Sequence, residues 1–146
     1  MSLEQWLSYK WVIPHVTSRE EISGLLAIAD RDIRDAQLKE LSVDWRLNIA
    51  QNATLQSANA VLAASGYRAS RDAHHYRVIQ SLEFTIGLDL ITIDKINKLH
   101  KKRNFASYTS AGAVSEGEAD EMLRLAKDIR QRVEHWLSDN KPELLG

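Results

Sequence analysis

Asp44-Trp45-Arg46-Leu47-Asn48-Ile49-Ala50-Gln51-Asn52-Ala53-Thr54-Leu55-Gln56-Ser57-Ala58-Asn59-Ala60-Val61-Leu62-Ala63-Ala64-Ser65-Gly66 is the stretch on which the fold turns. Leu47, Ala50, Ala53, Ala58 and Val61 recur at helical spacing. Asp44 is placed to cap the first turn, and Gly66 is a natural stop because glycine enters the left-handed conformation without a Cβ clash. Alanine at 50, 53, 58, 60, 63 and 64 keeps the helix slim. Neighbouring elements can therefore approach it closely on several sides.

Its flanks read as further helices. Upstream, Thr17-Ser18 followed by Glu20 and Glu21 supplies a cap and an acidic first turn. Ile22, Leu25, Leu26, Ala29, Ile33 and Ala36 then carry a helix to about Leu38. Asp30, Arg31, Asp32, Arg34 and Asp35 fall mainly on its solvated face. Downstream, residues 67–72 read as a polar loop and 73–86 as a helix with His75, Val78, Ile79, Leu82 and Ile86 on one face. Gly87-Leu88-Asp89 connects to the next helix. After a loop of small residues at 109–114, Ser115-Glu116-Gly117-Glu118 reads as a capping box. Ala119, Met122, Leu123, Ala126, Ile129, Val133, Trp136 and Leu137 carry the last helix. No strand pattern is visible, and there is no internal repeat. The expected fold is all-α, an antiparallel up-and-down bundle of four to five main helices.

Residues 1–17 form an aromatic-rich arm ahead of a bundle spanning 18–146. Leu3, Trp6 and Leu7 fit one or two helical turns, which Pro14 would stop. Trp6, Tyr9 and Trp11 are too much aromatic surface for a free arm, so it should pack on its own bundle or on a second chain.

At 146 residues the chain is one domain by length. Its net charge of −1 provides no global field for nucleic acid, so any such contact needs a local patch. The chain has no cysteine, which excludes disulfides and thiolate metal sites and fits a reducing compartment. No apolar run reaches membrane-spanning length, and no basic segment followed by an apolar one opens the chain. A cytoplasmic protein without membrane contact is the expectation.

The local patch is Ile93-Asp94-Lys95-Ile96-Asn97-Lys98-Leu99-His100-Lys101-Lys102-Arg103-Asn104-Phe105-Ala106-Ser107-Tyr108. Ile93, Ile96 and Leu99 form a helical stripe that projects to Arg103. Arg103 should therefore be buried and paired near the end of its helix. Asn104 and Tyr108 lie beside it, and Lys95, Lys98, Lys101 and Lys102 make the helix basic. Cations near a helix C-terminus also simply offset its dipole. His100 lies one turn before Arg103, so the two are neighbours. In Arg71-Asp72-Ala73-His74-His75-Tyr76-Arg77, adjacent histidines point about a third of a turn apart. His75 is expected inside, with His74 or Arg77 able to line the Arg103 cleft if the two helices are antiparallel neighbours. No third ligand at metal spacing accompanies the histidines, so neither a metal nor another cofactor is expected.

Arg103-Asn104-Phe105-Ala106-Ser107-Tyr108 resembles the late Arg-(polar)-x(3–5)-His motif of the HEPN domain family. The likeness extends over roughly residues 18–145, through Gly66-Tyr67-Arg68, His74-His75-Tyr76-Arg77, Lys102-Arg103-Asn104 and Val114-Ser115-Glu116. It implies an all-α bundle and a metal-independent ribonuclease site in which the 2′-hydroxyl attacks the adjacent phosphate. Catalytic positions would be Arg103, Asn104 and Tyr108; phosphate-binding positions would be Arg103, Lys102, His74 and Arg77. Arginine suits phosphate through its planar fork. Tyr108 replaces the family's histidine, and tyrosine, with a reference pKa of about 10, is a poor base at neutral pH. A degenerate site on RNA or a nucleotide is therefore implied, within a toxin–antitoxin or defence module. A homodimer and a minimal nucleotidyltransferase partner are implied too. The alternative is a non-catalytic dimeric binding or assembly module of the same fold.

Overall fold

In the computed structural model, Ser42 rather than Asp44 starts the alanine-rich helix. Its hydroxyl accepts the Trp45 N–H at 3.3 Å, leaving Asp44 in the acidic first turn. The structure describes residues 1–72, 74–108 and 114–146, the side chains of 103–108 excepted. The elements are α1 (Leu3–Ser8), β1 (Val12–Pro14), α2 (Arg19–Asp35), α3 (Val43–Ala64), β2 (Tyr67–Ala69), α4 (His74–Gln80), a 3₁₀ turn (Ser81–Glu83), α5 (Leu90–Tyr108), α6 (Glu116–Asn140) and a second 3₁₀ turn (Pro142–Leu144).

The protein is an all-α bundle built around α3. That helix packs most extensively on α6 and α2, and also touches α4, α5 and β2. All six alanines at 50, 53, 58, 60, 63 and 64 are buried, because their missing side-chain bulk lets neighbouring backbones close in. Ile22, Leu47, Leu62, Met122, Ile129 and Leu137 fill the core between α2, α3 and α6. Arg46 ties the same three helices from inside. Its Nε donates to the Ala36 carbonyl at 3.1 Å, and its Nη2 meets Asp120 at 2.7 Å.

The caps explain the helix boundaries. Ser18 accepts the Glu21 N–H at 3.1 Å, and α2 ends at Asp35, short of Leu38. Ser115 and Glu118 form the reciprocal capping box that opens α6. The helix expected over 73–86 breaks after Gln80. Ser81 Oγ donates to the Val78 carbonyl at 2.6 Å, and the chain tightens into a 3₁₀ turn.

The expectation of no strands, with 67–72 as a loop, is corrected. Tyr67–Ala69 pairs antiparallel with Val12–Pro14, in the register Val12↔Ala69, Ile13↔Arg68 and Pro14↔Tyr67. Strands of three residues are too short to display an alternating pattern. Pro14 lies at the end of its strand, where its missing N–H costs little. Gly66, at φ +99°, makes the turn from α3 into β2.

This ribbon fastens the N-terminal arm to its own bundle. Trp6 is buried, its ring edge-on to Phe84 at 5.2 Å and to Trp11 at 5.8 Å. The Arg77 guanidinium stacks over Trp11 at 3.6 Å.

Candidate functional site

His75, in the first turn of α4, meets His100 of α5. The imidazole centroids are 4.4 Å apart and the rings tilt by 37°. From α3, Gln51 reaches the same place, with its Oε1 3.2 Å from His100 Nδ1. In that amide orientation a neutral His100 carries its proton on Nδ1. Gln51 is only 3% exposed, and its Nε2 has no hydrogen-bond acceptor among the described residues.

These three side chains line a cavity of about 500 Å³ between α3, α4 and α5. Ile79 and Ile96 give it an apolar wall, while His74, Asp94, Asn97 and Lys101 give it polar ones. Its size suits a small organic ligand. Two imidazoles in contact offer a proton donor and a proton acceptor at once.

The sequence-predicted residues divide. His74 lines the cavity, as does Lys101. Arg77 does not, because it turns to the opposite side of α4 and stacks on Trp11. Lys102 is spent on Glu118 at 2.8 Å. Arg103, Asn104 and Tyr108 lie on α5, but their side chains, and with them the expected pairing of Arg103, lie outside the described residues. The His75–His100 stack was not legible as a pair. Each histidine was, but which residue lies opposite His75 is a tertiary contact that spacing along one helix does not give.

Carboxylates neutralise most of the basic stripe. Lys95 meets Glu121 at 2.8 Å and Lys98 meets Asp94 at 2.9 Å. The hydrogen bond from Lys95 holds the Glu121 carboxyl below the usual carboxylate range. Lys102, reinforced by the Ser115 N–H, does the same to Glu118. Helix α5 continues to Tyr108, so the lysines sit before its last turn and are not dipole caps. Among the described residues, Lys101 alone of the stripe has no carboxylate partner, and it faces the cavity.

Among the described residues no three histidine or carboxylate side chains converge to hold a metal ion. Nor is any helix there long and apolar enough to cross a membrane. No protein-family model matches the chain, and comparison with curated proteins returns no match.

Proposed function

We propose that the chain is a HEPN-type bundle that binds the phosphates of RNA or a nucleotide in the cleft between α3, α4 and α5, with a degenerate ribonuclease site, as a component of a toxin–antitoxin or defence module. The observation that carries this reading is the stacked His75–His100 pair beside Lys101, one turn before Arg103 and Asn104 on the same helix. In this reading Arg103 and Lys101 hold a phosphate and stabilise the charge that develops on it. His100 Nε2, oriented by Gln51, takes the proton of an attacking 2′-hydroxyl, and His75 protonates the leaving 5′-oxygen. Proton transfer of this kind typically contributes about 10² to 10⁴ in rate. Tyr108, at the family's histidine position, serves as a hydrogen-bond donor and not as the base.

The test is metal-free incubation of wild type, His100→Ala and Arg103→Ala with labelled RNA, measuring binding and 2′,3′-cyclic phosphate ends separately. Wild type should bind and cleave weakly, His100→Ala should bind without cleaving, and Arg103→Ala should lose both. Wild type that neither binds nor cleaves removes the assignment, and so does cleavage that persists in both variants.

One observation favours the second reading, a non-catalytic homodimeric module partnered with a minimal nucleotidyltransferase. Lys95, Lys98 and Lys102 are matched by Glu121, Asp94 and Glu118, so the described lysines of α5, Lys101 apart, offer no unpaired charge to a long polyanion. Light scattering at micromolar concentration separates the arrangements. A dimer supports both readings, whereas the 16.6 kDa monomer mass leaves only a single-chain ligand site.

A further inference from the structure

A second concavity, of about 430 Å³, lies on the other side of α4, between the N-terminal arm, the first 3₁₀ turn and the start of α5. Tyr76 is the only described residue that lines both it and the histidine cavity, so the two sites are separated by the short helix itself. Trp6, Trp11 and Phe84 give this groove aromatic walls.

Its polar groups lack partners in a patterned way. Arg77 stacks on Trp11 at 3.6 Å and approaches Trp6 at 5.6 Å, yet makes no hydrogen bond or ion pair among the described residues. A guanidinium held flat on an indole is already oriented and keeps its edge N–H groups for a planar anion. Trp6 is 2% exposed, and its indole N–H has no acceptor among the described residues. Two acceptors complement these donors. The buried Gln80 Oε1 has no donor, and the half-buried Glu83 carboxylate has no cationic partner among the described residues. Arg77 and Glu83 thus leave one cation and one anion unmatched in the same aromatic groove.

We propose that this groove binds a zwitterion with an apolar body, namely a free α-amino acid with an aromatic or large aliphatic side chain. Its carboxylate takes the Arg77 fork. Its ammonium faces Glu83, and its side chain lies on the aromatic wall. Glu83 also sets the selectivity, because it repels a dianion such as a phosphate monoester more than a singly charged carboxylate and attracts the ammonium.

The experiment is titration of the full chain with L-phenylalanine, following the indole N–H signals of Trp6 and Trp11 by ¹H–¹⁵N NMR, with Trp45 and Trp136 as internal controls. Phenylacetate, which lacks the ammonium, and phenethylamine, which lacks the carboxylate, are titrated in parallel, as is phenyl phosphate. L-Phenylalanine should move the Trp6 and Trp11 signals saturably, and each of the other three should bind at least about tenfold more weakly. Arg77→Lys keeps a positive charge but removes the flat fork, and should weaken binding about tenfold or more. Glu83→Gln, at a half-exposed position tolerant of substitution, should bring L-phenylalanine and phenylacetate to similar affinity. The proposal is overturned if L-phenylalanine at 10 mM leaves both indoles unmoved. Phenylacetate or phenyl phosphate binding as tightly as the amino acid overturns it too, and so does full affinity in both variants.

Discussion

Replacing Trp6 with alanine tests whether the N-terminal arm is part of the bundle. The indole is 2% exposed and contacts Trp11 and Phe84 edge-on, so truncation opens a large hole beneath the ribbon. Truncations of this kind cost about 3–5 kcal/mol, against a total stability of about 5–15 kcal/mol for a domain. At roughly 2–4 °C per kcal/mol for a chain of this size, the melting temperature should fall on the order of 10 °C. Trp6→Phe is the informative companion. The indole N–H has no acceptor among the described residues, so phenylalanine forfeits volume but no hydrogen bond there and should cost about 1–2 kcal/mol. Urea denaturation followed by circular dichroism reads both. A Trp6→Ala change below about 0.5 kcal/mol, the usual range of surface substitutions, would refute the packing argument.

Other expectations follow from the caps and the buried arginine. Arg46→Met keeps the apolar stem but leaves the buried Ala36 carbonyl without its donor, and should destabilise by about 2–3 kcal/mol in the same urea assay. Ser115→Ala removes one half of the capping box and should cost about 1 kcal/mol, measured by thermal unfolding. Glu118 has a folded pKa lowered, first by Lys102 and then by the Ser115 N–H, from an ordinary value of 4.5. Its contribution is therefore complete above pH 4.5 and is lost as the pH falls through the lower folded value. The difference in denaturant midpoint between wild type and Glu118→Gln should shrink accordingly on acidification.

The bundle was legible because each long helix announces itself through periodicity and caps. Ser18 and the Ser115–Glu118 box stand where the residues place them. The alanine-rich helix is central because nothing on its surface keeps neighbours away. What escaped was decided by contacts distant in sequence. Val12–Pro14 becomes a strand only because Tyr67–Ala69 lies beside it, and neither segment carries a signal of its own. Ser42 outranks Asp44 as a cap by position and not by chemistry. The break after Gln80 depends on one hydroxyl of Ser81 reaching back to Val78. For the candidate site, the histidines and lysines were visible singly, but charge neutralisation by α6 and the turning of Arg77 toward Trp11 are tertiary facts. Spacing along one helix says what shares a face; it does not say what lies opposite.

The most direct test of the phosphate cleft uses the five histidines as reporters. Imidazole ¹H–¹³C signals are followed while a dinucleotide lacking the 2′-hydroxyl, and so resistant to cleavage, is added at neutral pH. His75 and His100 should shift together and saturably, His74 less, while His15 and His135, which line no part of the cavity, stay in place. Unmoved His75 and His100 signals, or shifts largest at His15 and His135, would contradict the assignment of the cleft between α3, α4 and α5 as the phosphate site.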